Sequence, residues 1–376
     1  MLAKKRLSAL AGGIIVLLLA FWFYPLACPA PQKLTPPQEE KMDRLFTEMK
    51  TYCAGRYLID LPASFAVKRY SEKLADNYWV ADVSGPDDSY KTYITTQKMS
   101  PPAFAQLLKR REKELREAKT INPQNMPFLK KVWSLPEGMA GVIFERNENE
   151  SVDDALRIIE GYFYSNGVAI KLQRQTINDS APRYKEDRER RGKGRNDVQK
   201  DINRIQELLS RMHGREDDDI PSIPGICISH AFIATDPQEA DQENTSIWLV
   251  SPQLDNISIA LETDNYTREK EPMLDRADEI AANLARARGH IERKGAFKVN
   301  GLHAQEILSA GLQSLKDEPR YDFSLFINET TAGYRTPNAF LNLYNENEPA
   351  TSYSQAEIIA FWDRISRTLR LRPGAF

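Results

Sequence analysis

Three cysteines and four histidines are the residues of this 376-residue chain best equipped for nucleophilic or metal chemistry, and their spacing argues against most of it. Cys28, Cys53 and Cys227 lie far apart, and His213, His230, His290 and His303 are scattered singly, so no local spacing assembles a metal site. Cys227 and His230 are the one thiol–imidazole pair close in sequence, the pair that Cys–His catalysis would use. They are three positions apart on a strand-like run, which would send them to opposite faces of the pleat. The chain has no G-x-S-x-G elbow, Walker loop or H-E-x-x-H. Asp60 and Asp82 are carboxylates that a general acid–base pair would need, but Asp60-Leu61-Pro62 reads as a strand end. The sequence therefore assigns no catalytic residue, no metal ligand and no cofactor.

The elements that must position these residues begin beyond an unusual N-terminus. Lys4, Lys5 and Arg6 precede an uncharged, mostly apolar stretch from Leu7 to Ala27, long enough to cross a bilayer as a helix. The basic head predicts that this end stays in the cytoplasm and the rest is exported to the periplasm of a Gram-negative cell, with residues 1–28 as anchor or signal segment. Leu26-Ala27-Cys28 is close to the end of a lipoprotein signal, with Cys28 as the lipidated residue, although Pro25 stands where that signal prefers an aliphatic side chain. The length of the run favours a retained inner-membrane anchor over a cleaved signal. In an oxidising compartment Cys53 and Cys227 are left either as a disulfide closing a long loop or as two buried thiols.

Residues 29–37 are proline-rich and form a stiff spacer. The remainder divides into two copies of one plan, 38–215 and 216–376. In the first copy, strands at Tyr57–Leu61, Tyr78–Val83 and Tyr90–Gln97 precede a helix opened by Pro101 and Pro102. Val142–Arg146 follows, then a hairpin of Leu156–Tyr164 and Val168–Gln175 turning at Asn166-Gly167, and a helix using Val198, Ile202, Ile205, Leu209 and Met212. The second copy repeats the order: Cys227, Ser246–Val250, Ile257–Glu262, a helix over Met273–Leu284, strands at Gly301–Leu308, Tyr321–Asn328 and Ala339–Tyr344, and a helix using Ile358, Phe361, Trp362, Ile365 and Leu369. This predicts an α+β fold: two similar lobes from a duplicated unit, each a mainly antiparallel sheet covered by helices, claw-like with a cleft between them. At the joint, Arg188–Arg195 and Glu216–Asp219 read as exposed basic and acidic loops. A net charge of -2 gives no footprint for nucleic acid.

The openings of the two copies, Tyr52-Cys53-Ala54-Gly55-Arg56-Tyr57-Leu58-Ile59-Asp60-Leu61-Pro62 and Pro224-Gly225-Ile226-Cys227, together with the two-lobe order, resemble the immunity proteins of type VI secretion lipase effectors over almost the whole chain after the N-terminal segment. The resemblance implies a periplasmic antitoxin whose lobes clamp a cognate phospholipase and obstruct its active-site entrance or lid. It carries over no catalytic residue and no interface residue. Tyr266 and Tyr334, aromatics in loops, are the candidate partner-binding anchors. Two other classes stay open: a structural or assembly component of the envelope, and an envelope hydrolase with converging acids or His230.

Overall fold

The computed structural model describes residues 33–68, 74, 79–86, 88–235, 241–313, 317–345 and 348–376. The apolar segment of residues 1–28, with Cys28, lies outside them, as does Tyr78. Among the described residues no helix is long and apolar enough to cross a membrane.

An opening helix, α1 (Pro36–Leu45), leads into a hairpin of β1 (Met49–Ala54) and β2 (Tyr57–Pro62) and a short β3 (Ala66–Val67). The first copy then runs β4 (Ala81–Ser84), β5 (Thr92–Lys98), α2 (Pro101–Glu117), β6 (Leu129–Trp133), β7 (Gly141–Asn147), β8 (Leu156–Ser165), β9 (Val168–Ile177), α3 (Lys185–Arg191), α4 (Val198–Ser210) and β10 (Met212–Gly214). The second opens with its own hairpin, β11 (Gly225–Ile228) and β12 (Ala231–Ala234). It continues through β13 (Gln242–Ser251), β14 (Leu254–Asp264), α5 (Ala277–Arg286), β15 (Gly289–Val299), β16 (Leu302–Leu312), β17 (Pro319–Ile327), β18 (Asn338–Tyr344), α6 (Gln355–Ser366) and β19 (Arg370–Leu371).

Local chemistry explains the clearest of these. Asn166 and Gly167 both take positive φ, 48° and 81°, as a two-residue hairpin turn between right-twisted strands requires. The Ser100 hydroxyl caps α2 just before its two prolines, and a reciprocal Ser354–Glu357 capping box starts α6. The helix expected through Met212 stops at Ser210, and Met212 instead begins β10.

Sheet order makes the duplication explicit. Twelve strands run β15-β16-β17-β18-β14-β13-β4-β5-β9-β8-β7-β6, so each copy contributes six strands in the same order counted outward from the middle. The copies meet where β4 pairs antiparallel with β13, Ala81 to Ser84 against Thr245 to Gln242, an approximate two-fold relation normal to the sheet. The cleft expected between two lobes is therefore floored by continuous sheet.

The first hairpin of each copy packs in the other copy's core. Tyr52, Tyr57, Ile59 and Leu61 of β1–β2 are buried with Leu249, Phe323, Leu341 and the α6 side chains Phe361 and Trp362. Ile226, Ile228 and Ile233 of β11–β12 are buried with Ile94, Ile170, Leu172 and the α4 side chains Ile202 and Ile205. The closing strands complete the exchange: β19 joins β2, and β10 joins β12. Gly55 and Cys227 exchange two backbone hydrogen bonds of 2.8 Å, and a disulfide joins Cys53 to Cys227, Cα atoms 5.6 Å apart.

Three buried arginines surround this crossing. Arg56 is held by both carboxylate oxygens of Glu243 and by the Ala375 carbonyl, and lies against the rings of Tyr334 and Phe376. Arg215 donates to the carbonyls of Cys53 and Ala231, each at 3.1 Å. Arg372 donates to the carbonyls of Ile223 and Gly225, and burial beside the Arg56 and Arg215 cations brings it down to about 10. Arg215 thus bridges backbone carbonyls of β1 and β12 at the crossing, and Arg372 holds those leading into β11.

Two consequences are measurable. A fragment of residues 50–215 lacks the hairpin that fills its core and should show no cooperative unfolding alone; co-expression with residues 216–376 should restore it. Gly55→Ala places a Cβ 2.0 Å from the Thr263 hydroxyl at a φ of +54° and should destabilise by roughly 2–4 kcal/mol in urea unfolding.

Candidate functional site

Strand alternation separates the two faces of the sheet. Along β13, residues 243, 245, 247, 249 and 251 are buried and the intervening ones are not, and β18 alternates in the same way. The buried set faces α4, α6 and the exchanged hairpins. On the opposite face α2 packs at one end against Phe144 and Tyr162 of β7 and β8, and α5 packs at the other against Ile307 and Phe326 of β16 and β17. Between them lie β5, β4, β13, β14 and β18 and the second half of β9, strands that no described helix covers on this side, whereas Ala169 at the start of β9 is buried with Phe104 and Leu115 of α2. At about 4.8 Å per strand the open floor is roughly 25–30 Å wide.

That floor is rich in half-exposed aromatics. Trp79 and Tyr93 stand with ring centroids 4.6 Å apart on the first-copy side. Trp248 and Tyr344 meet edge to face at 5.6 Å, and Phe340 stacks on Phe326 at 4.4 Å, on the second-copy side. A groove of about 940 Å³ runs from Trp79 and Tyr93, past Gln173 and Ile158, to the loop of Glu148–Ser151 beside α2. Flat, polar-rimmed and aromatic, the surface has the composition of a protein-binding face.

Acids and bases around the floor are mostly paired within the fold. Beneath α2, Glu160 is fully buried; burial pushes its carboxyl up, but Arg111, Arg146 and Lys171 together hold it well below the usual range. Asp82 binds Lys91 at 2.8 Å and accepts from Asn244 at 3.1 Å. Lys91 also donates to the Tyr266 hydroxyl at 2.7 Å.

The residues singled out from sequence fall in distinct places. Tyr266 is at the seam, where it ties the second copy to Lys91 of the first. Tyr334 covers Arg56 at 4.6 Å, its hydroxyl buried without a hydrogen-bond partner among the described residues. The sulfur of Cys227 is bonded to Cys53 and so offers no nucleophile. His230 sits in the β11–β12 turn at φ 60°, its Nδ1 2.7 Å from Asp217. Asp60 is clamped by Arg370 at 2.9 Å, remote from Asp82 on another sheet. Among the described residues no group of three His, Cys, Asp or Glu side chains is placed to hold a metal.

The two charged runs are exposed loops in part: Glu216, Asp218 and Asp219 lie exposed in a loop, as do residues 192–194, but half of the basic run is helical and Asp217 is buried. The first half of the basic run, Arg188–Arg191, ends the helix α3, which has Glu186 and Asp187 in its first turn, arginines in its last and Gly192 in the left-handed conformation closing it. Arg191 and Arg195 are bound by Asp179 and Asp197. In the acidic run Asp217 is buried: burial pushes its carboxyl up, but His230 and Arg215 hold it lower than usual. The open aromatic floor was not read from sequence; the alternating burial along β13 and β18 carries that signal, but only pairing in the sheet shows which face stays open.

The architecture defines a two-copy α+β protein with one continuous antiparallel sheet. The chain belongs to the Tle cognate immunity protein 4 family: residues 50–215 match the family's N-terminal domain and residues 219–374 its C-terminal domain. Its fold is similar to the apo immunity protein TplEi of the type VI secretion system from Pseudomonas aeruginosa, with 22% identity, a TM-score of 0.63, and coverage of 88% of this chain and 99% of that one. A similar match, 22% identity and TM-score 0.63 over 87% of this chain and 98% of that one, is to the crystal structure of a Tle4–Tli4 complex. TplEi complexed with an "L" peptide matches at 20% identity and TM-score 0.59, over 87% of this chain and 99% of that one. No curated protein matches the sequence significantly.

If the floor aromatics serve a partner, the fold should tolerate their loss. Trp248→Ala and Tyr93→Ala should each cost less than about 1.5 kcal/mol in urea unfolding, whereas Phe323→Ala, fully buried on the other face, should cost roughly 3–5 kcal/mol.

Proposed function

We propose that this chain is an immunity protein that binds a cognate type VI secretion lipase effector and neutralises it without catalysis. The observation that carries the reading is the family match across both copies. The open aromatic floor between α2 and α5 supplies the physical means: a wide, preorganised surface on continuous sheet, whose rigidity lowers the ordering cost of association. In this reading the effector seats on the floor with the rim of its active-site entrance or its lid held there, so that lipid cannot enter. The protein acts in the periplasm, held at the inner membrane by residues 1–28 or by lipid on Cys28, which concentrates it beside the lipids a phospholipase attacks.

The test is co-purification of the full-length chain with the lipase encoded beside its gene, followed by a phospholipase assay. A stoichiometric complex with silenced lipase is expected, and Trp248→Ala should weaken it about tenfold or more. A neighbouring lipase that neither binds nor loses activity would overturn the reading.

A further inference from the structure

Glu262 is an acid on the floor that the fold does not use. It lies in β14, directly opposite Ser246 of β13 and Phe340 of β18, with Trp248 on the diagonal, so both rings are within reach of its side chain. The neighbouring acids are all engaged. Asp82 is bound by Lys91, Asp264 accepts the backbone N–H groups of Tyr266 and Thr267, and Asp322 accepts from Asn342 at 2.8 Å. Glu262 has no ion pair or hydrogen bond among the described residues, and burial alone pushes its carboxyl above the usual range. The groups facing it from β13 and β18, namely Asn244, Ser246, Trp248, Asn338, Phe340 and Asn342, carry no charge.

We propose that Glu262 receives a lysine or arginine side chain of the bound effector, with that side chain's stem lying against Phe340 and Trp248. The proposal rests on the immunity reading and specifies the chemistry of one contact within it. A half-buried carboxylate without a cation is unfavourable in the free protein, and a partner's cation removes the penalty while its apolar stem covers the rings. The contact thus selects partners with a cation at that position, since an effector without one would leave the acid covered and unpaired. Pairing favours the ionised form, so affinity falls as pH is lowered through the range in which the free carboxyl, raised by burial, takes up its proton.

The test compares full-length wild type with Glu262→Gln and Glu262→Lys, measuring affinity for the adjacent-encoded lipase at two pH values and thermal unfolding of each free protein. Glu262→Gln should weaken binding about tenfold or more and flatten its pH dependence. Because the native state raises this carboxyl's proton affinity, the ionised form disfavours folding, so the same variant should melt no lower than wild type at pH 8. Glu262→Lys should bind more weakly still, and Glu279→Gln on the exposed side of α5 should match wild type. Binding by Glu262→Gln within twofold of wild type overturns the contact and leaves the immunity reading standing. A wild-type chain that neither binds nor silences the lipase overturns both.

Discussion

The antiparallel seam between β4 and β13 is the constraint on which the rest of the structure depends. Each copy alone would present the edge strand of a six-stranded sheet with its backbone donors and acceptors unpaired. Joining the two edges removes that liability and fixes the copies in one orientation. The exchange of first hairpins reinforces it, because neither hydrophobic core is filled by its own segment. Cys53–Cys227 and the paired Gly55–Cys227 backbone bonds lie at this crossing, where the equivalent strands of the two copies meet. A surface spanning both copies is rigid for the same reason: it is one sheet.

The burden of covering the sheet is divided unequally between its two faces. On one face α4, α6 and the hairpins bury long aliphatic and aromatic rows. On the other, among the described residues, α2 and α5 pack towards the two ends and the middle carries half-exposed aromatics and paired charges. Polar groups that do enter the interior come with partners: Glu243 with Arg56, Glu160 with two arginines, Arg174 with Asp88 and Asp201. For Glu243, burial still outweighs Arg56 and pushes the carboxyl up, so losing Arg56 would leave a costly buried acid. These networks position strands and do not converge on a reactive atom.

Much of this plan was legible in the sequence where local chemistry is decisive. Asn166-Gly167 fixes its hairpin, Pro101-Pro102 opens α2, and the 3.6-residue apolar spacing of Ile202, Ile205 and Leu209 marks α4. Among the strands that periodicity missed are the two outermost of the long sheet, β6 and β15. Both carry lysines or arginines and are largely uncovered, as edge strands are when charge guards them against further pairing. Cys53 and Cys227 were visible as equivalent positions, but the exchange of hairpins was not, because a contact 174 residues apart leaves no local pattern. At the charged joint Arg191 is bound by Asp179, twelve residues upstream and across a turn of chain, a partner that charge patterning within the run does not show.

The central claim is that the open face, and not the hairpin-covered face, meets the effector. Hydrogen–deuterium exchange of the full-length chain, free and bound to its lipase, tests this most directly. The account predicts new protection in β4, β5, β14, β18 and the loop at 148–151, with α4, α6 and β11–β12 unchanged. Protection confined to α4, α6 or the exchanged hairpins, with the floor exchanging as in the free protein, would contradict it.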